Sequence, residues 1–249
     1  MRLQHVAALL GVATLAVVVS GCASPDSSSK RHAERRAIGV LGSGFVDPEK
    51  PPPPEGMIRP RPGSWDGVHP PPGYRVVLLT AGDDAATTTL VTAVKQWAKA
   101  EHVRLETVVT TEAKAVDGIV EAMNLTPDLV VCAGHALVDA LALVTASHLD
   151  QQFLVVGAQL PEPTVNVTAA IWHGAASRGG EVLDTASSFD PDSFTPEHAS
   201  AAIRAGVASV LSDLTGIVIW LDAADITRWS DAEAHHSTGS NTQRQSRHF

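Results

Sequence analysis

Apolar runs and amphipathic stripes alternate along residues 74–222. Residues 75–80 form an apolar β-run, and residues 87–101 place Leu90, Val91, Val94, Trp97 and Ala98 on one helical face. Residues 103–109 predict a second strand. A helix follows on Val116, Ile119, Val120 and Met123, spaced i, i+3, i+4 and i+7. Residues 128–133 predict a third strand, continuously apolar from Leu129 onward, the pattern of a strand covered on both faces. The next helix, over 135–148, turns Leu137, Val138, Leu141 and Val144 inward, and residues 153–157 and 167–172 predict two more strands. A polar, turn-rich stretch occupies 179–193. Thr195-Pro196-Glu197 then supplies an N-cap, a proline suited to the first helical position and a first-turn acid. Ile203, Val207, Val210, Leu211 and Leu214 continue that helix, Gly216 ends it, and 217–221 is a last strand. Strands alternating with helices predict an α/β domain with a mostly parallel, doubly wound sheet and right-handed crossovers. No internal repeat interrupts it.

The flanks read differently. Arg2, an apolar run from Val6 to Val19, and Val19-Ser20-Gly21-Cys22 form a short secretory signal, too short to span a bilayer. A cysteine directly after two small residues resembles the lipobox of bacterial lipoproteins. The resemblance implies cleavage after residue 21, diacylglycerol on Cys22, and a mature chain on the extracytoplasmic face of the cell membrane. Two acyl chains on one residue suffice for stable anchoring. An ordinary secreted protein is the competing reading. Residues 22–73 predict a stalk without apolar periodicity, since ten of the 16 prolines fall between 48 and 73. At about 3.1 Å per residue the proline-dense part from 48 to 73 spans on the order of 80 Å. Trp65 is out of place in a pure linker and predicts docking onto the domain. Residues 223–249 are polar and rich in His, Ser, Gln and Arg, a composition that predicts disorder.

Composition narrows the function classes. With 18 Lys and Arg against 27 Asp and Glu, the net charge is −9, and no basic groove for nucleic acid can be drawn. If Cys22 carries lipid, Cys132 is left alone and no internal disulfide forms. Set in Leu129-Val130-Val131-Cys132-Ala133, it reads as a small core residue rather than a nucleophile. No G-x-S-x-G, H-E-x-x-H or P-loop occurs, and Gly42-Ser43-Gly44 precedes no helix. His135 and Asp139 share a helix face, but two ligands make no zinc site. His235-His236 is a weak metal sink in the tail. We expect no catalytic residues, no metal and no cofactor.

Candidate chemistry gathers where strands end. In open parallel sheets, ligands bind beyond the carboxyl ends of the strands, at the topological switch point. Thr80-Ala81-Gly82-Asp83-Asp84 follows the first strand and Gly134-His135 the third; Ala158-Gln159 and Trp172-His173 follow the fourth and fifth. Asp83, Asp84, His135 and Gln159 are candidate polar anchors, and Trp172 a stacking platform. A structural reading competes for each: Asp-Asp before a helix is a capping signal, and tryptophan at a strand end packs in cores or interfaces.

Residues 126–140, Thr126-Pro127-Asp128-Leu129-Val130-Val131-Cys132-Ala133-Gly134-His135-Ala136-Leu137-Val138-Asp139-Ala140, resemble the P-D-[apolar]-x-x-x-G-x-x-x-x-D-A segment of the basic membrane protein family. Phe153-Leu154-Val155-Val156 and Val165-Asn166-Val167-Thr168 match its next segments, so the likeness covers about 75–179, one lobe. With its Pro-rich lead-in the chain also resembles lipoproteins of actinobacteria. The resemblance implies a type I periplasmic-binding-protein lobe from a substrate-binding lipoprotein of a nucleoside-type ABC importer. Its partners would be a small solute and an ABC permease. Of the family's ligand-holding Asp, aromatic and Asn after strand one, only Asp84 has a counterpart, because Ala85-Ala86-Thr87-Thr88-Thr89 follows it. The short stretch before the last helix leaves no room for a second lobe. A single lobe makes an open shelf, so the alternative is a cell-envelope interaction module that binds a protein or itself and takes no small ligand.

Overall fold

The computed structural model describes residues 37–177, 189–222 and 225–227. In chain order the elements are β1 (Met57–Ile58), β2 (Arg75–Ala81), α1 (Ala85–Ala100), β3 (Arg104–Thr110), α2 (Ala115–Asn124), β4 (Leu129–Ala133) and α3 (Val138–Val144). Then come β5 (Phe153–Val156), β6 (Ala158–Gln159), β7 (Val167–Trp172), β8 (Ala176–Ser177), α4 (Pro196–Leu211) and β9 (Val218–Leu221). Seven strands form one sheet in the order β1-β9-β7-β5-β4-β2-β3, and every neighbouring pair is parallel. The predicted α/β class holds.

The inner strands bury both faces because helices cover both, whereas the edge strand β3 stays largely exposed. Alternate residues of β2 divide between two cores: Val76 and Leu78 pack with α1 and α4, and Val77 and Leu79 with α2 and α3. This explains why β4 and β5 are apolar at every position. Cys132 is fully buried in the second core, where burial pushes its thiol well above the ordinary range. The order of strands reverses between β2 and β4. From β2 the chain goes outward to the edge strand β3, then crosses back to β4 and proceeds toward β9. The carboxyl ends of β2 and β4 therefore form the switch point.

Several expectations are corrected. From Ala37 onward the proline-rich segment is folded against the domain. Ile38 and His69 exchange backbone hydrogen bonds, both 2.9 Å, and Gly42 N–H donates to the Ser64 carbonyl at 2.7 Å. Phe45 and Trp65 are buried in the core, so the tryptophan docks as its presence predicts. Met57–Ile58 adds an edge strand to β9. Proline tolerates this arrangement because an edge and its turns leave many N–H groups unneeded. Gly39, at φ +86°, lies so near Gly67 that a Cβ would overlap the Gly67 carbonyl. Ile226 is buried in the same core, so the domain also extends past 222. Residues 1–36, with the signal and Cys22, and nearly all of the tail lie outside the described residues.

Two helices differ in detail. α3 starts at Val138 rather than 135, because Gly134 at φ +90° turns the chain before a helix can begin. In α2 the buried face is Ala115, Gly118, Ile119 and Ala122, whereas Val116 and Val120 are exposed. The cause is Gly118: its missing side chain lets the helix settle on Thr110, so small residues rather than valines face the sheet.

Candidate functional site

The end of β2 runs through Gly82, at φ +87°, into Asp83 and Asp84, and α1 begins at Ala85. Asp84 is the N-cap. Its Oδ1 accepts from the Thr87 N–H at 2.9 Å and its Oδ2 from the Thr87 hydroxyl at 2.7 Å. Burial alone pushes this carboxyl up, but the two Thr87 hydrogen bonds, its own backbone N–H and nearby His135 outweigh that and hold it below 3.8. So the capping reading of Asp84 is correct, and both oxygens are engaged while the residue remains exposed. Asp83 is exposed too.

Across the switch point, β4 ends in Gly134 and His135. A Cβ on Gly134 would stand 3.1 Å from the Thr87 hydroxyl, which shows how closely the two loops approach. His135 is exposed, and its ring lies 5.0 Å from Phe189, centroid to centroid. The fold thus brings Asp83, Asp84 and His135 to one end. Gln159, half-buried in β6, pairs through its backbone with β8. Among the described residues no hydrogen bond joins it to the other three.

Trp172 cannot serve as an open stacking platform, because it is completely buried. Its Nε1 donates to the Ser193 hydroxyl at 3.1 Å. Phe194 meets it edge-on at 5.0 Å, and His198 stacks on it at 5.5 Å and 10°. Sequence reasoning missed Phe189 and Phe194, which link His135 to Trp172 through contiguous rings, and His198, which stacks on Trp172. A signal existed: residues 189 and 194 are two of only five phenylalanines, and they bracket an otherwise polar stretch. Gly157 at the end of β5 admits the ring of Phe194, since a Cβ there would lie 2.6 Å from it. Among the described residues no cluster of three or more metal-ligating side chains occurs, and no helix is long and apolar enough to cross a membrane.

The cap can be tested. Asp84→Ala should cost about 1 kcal/mol in denaturant unfolding, the usual loss for an N-cap carboxylate. Because the folded carboxyl titrates below its ordinary value, its contribution is complete above about pH 4 and fades as pH falls through the folded value. The stability difference between wild type and Asp84→Asn should therefore be constant from pH 7 to 5 and shrink toward pH 3. A difference that grows on acidification would contradict the assignment.

No family model matches this chain, and no curated protein does. Solved structures give partial overlaps. A crystal structure of ABC transporter solute-binding proteins from Aeropyrum pernix K1 is 17% identical over 41% of this chain and 29% of its own length, at a TM-score of 0.37. A fragment described as a lipoprotein from Peptoclostridium difficile 630 is 15% identical over 55% of this chain and 98% of its own, at 0.41. A transcriptional activator of the comK gene from Bacillus halodurans is 14% identical over 65% of this chain and 60% of its own, at 0.35. The described chain thus spans 29% of the length of the Aeropyrum protein. These likenesses concern the arrangement of strands and helices and carry no argument about a ligand.

Proposed function

We propose that this chain is a lipid-anchored protein of the extracytoplasmic membrane face. In this reading one receptor-type α/β lobe offers the switch-point end of its sheet to a small polar solute. The observation that carries the reading is the convergence of two exposed polar loops, at 82–84 and 134–135, where the strand order reverses. Asp83 and His135 are its polar anchors, Gln159 an outlying one, and Asp84 holds the loop in place through α1. Cys22 carries the anchor, in line with its lipobox. The resemblance of 75–179 to the basic membrane protein family favours a nucleoside-type solute and an ABC permease as partners. The reaction-free chemistry of these groups favours a binder over an enzyme.

A second reading has one observation in its favour. Trp172 is sealed, and Phe189 stays 43% exposed beside His135, as on a face that meets a protein. Thermal-shift titration against nucleosides, sugars and amino acids separates the two. Ligand at a hundredfold its Kd stabilises by about 2.7 kcal/mol, a rise of roughly 5–10 °C for a chain of this size. We expect a dose-dependent rise with one solute class, removed by His135→Ala without loss of stability. A flat response from folded protein would reject the receptor reading in favour of the envelope interaction module.

A further inference from the structure

The described chain begins at the amino-terminal end of the sheet, opposite the candidate site. Ile38 is bound to His69, and His69 Nδ1 lies 3.0 Å from Glu101 Oε2. Glu101 is the C-cap of α1, three residues before β3 starts. Helix α1 leaves the carboxyl end of β2 and returns to the amino end of β3, so Glu101, His69 and Ile38 all mark that lower end.

Fifteen residue steps separate Cys22 from Ala37. Even fully extended they reach about 50 Å, and a flexible chain of that length averages about 21 Å. A domain of this size is about 40 Å across. The amino end therefore reaches a bilayer on an ordinary tether, whereas turning the carboxyl end toward it demands nearly the full contour length.

The amino end carries apolar side chains that a bilayer can accept. At the amino end Ile38, Leu149 and Val165 are 52%, 53% and 57% exposed. Asn166 Nδ2 binds the His148 and Gln151 carbonyls, both at 2.9 Å, which holds the Leu149 turn beside Val165. Gly216, just before β9, packs on the Val165 backbone from the other side. Exposed carboxylates lie at both ends, Asp83, Asp84, Asp190 and Asp192 at the carboxyl end and Glu55, Asp150 and Asp213 at the amino end, so the tether length rather than charge chooses between them.

Taking the lipid on Cys22 from the proposal above, we infer that the amino-terminal end of the sheet is the membrane-seated surface of this protein. Ile38, Leu149 and Val165 touch lipid, and the switch-point end faces away from it. The test uses the full lipidated chain in phosphatidylethanolamine–phosphatidylglycerol vesicles containing nitroxide-headgroup lipid. A fluorophore is placed on Leu149→Cys, Val165→Cys or, at the other end, His173→Cys. Cys132 is buried and does not compete for the label. Labels at 149 and 165 should be quenched at least threefold more than the label at 173. Equal or reversed quenching on acylated protein overturns the inference and leaves the anchor intact. If Cys22 itself takes the label and no acyl mass is found, the anchor falls and the seating falls with it. Two lower positions guard against one variant failing to fold.

Discussion

Replacing Trp172 with alanine is expected to cost about 3–5 kcal/mol of stability, the range for deleting a large aromatic side chain from a packed core. For a chain of this length that corresponds to a fall of roughly 6–20 °C in melting temperature. The size follows from the surroundings. Trp172 is fully buried at the end of β7, between the edge of Phe194 and the face of His198, with its indole N–H on Ser193. Alanine would leave a cavity at the joint between β7 and the start of α4 and would remove the indole N–H bond to Ser193, whose hydroxyl keeps its bond to the Asp190 carbonyl. Trp172→Phe should recover most of the loss, lacking chiefly the Nε1 bond, worth about 1 kcal/mol. Denaturant unfolding of both variants decides the matter. A ligand platform would behave oppositely, with Trp172→Ala within 1 kcal/mol of wild type and solute binding gone.

Trp65→Ala is the second large effect. A stalk would not notice it. Here the ring is buried with Phe45, Ile58 and Val68 in the core shared with α1 and α4, and a loss of about 3–5 kcal/mol is again expected. The neighbouring Asp66–Arg204 ion pair, 3.0 Å long and partly exposed, adds at most about 1 kcal/mol. It is the indole, not the charge, that fastens the segment. Asp66→Ala should therefore be nearly silent beside Trp65→Ala. Limited proteolysis gives an independent reading, because loosening the indole should open 40–72 to cleavage while β2–β9 stay protected. Equal proteolysis of wild type and variant would return this stretch to a linker.

How much of this was legible follows from what each element needed. The five inner longer strands and the four helices announce themselves because burial on both faces of a parallel sheet demands long apolar runs and helices that cover it need apolar stripes. Two-residue strands such as Met57–Ile58 and Ala158–Gln159 have no periodicity to read, and they exist only because a neighbour offers a free edge. Proline density misled for a physical reason: it excludes helix and central strand, not a strap with an edge strand and turns. Val116 and Val120 misled because the 3.6 period fixes a stripe but not which stripe, and Gly118 decided it. At the site, the N-cap role of Asp84 was readable locally, since capping is a contact three residues long. The burial of Trp172 was not, because Phe194 and His198 come from 22 and 26 residues later in the chain.

What remains at the switch point is small and polar: Asp83 and His135, on loops shaped by Gly82 and Gly134, with Phe189 against the imidazole. Among the described residues no second lobe faces this surface, and by itself it cannot enclose most of a small molecule. Modest affinity with clear localisation is the expected behaviour.

Hydrogen exchange of the whole mature chain, with and without the solute class that gives the largest thermal shift, locates the solute on the sheet. Added protection is expected only at 82–88 and 134–138, the two loops of the switch point and the helix turns that follow them. Protection elsewhere, for instance at 148–151 and 165–166 on the opposite end, or none with any solute, would contradict a solute site there.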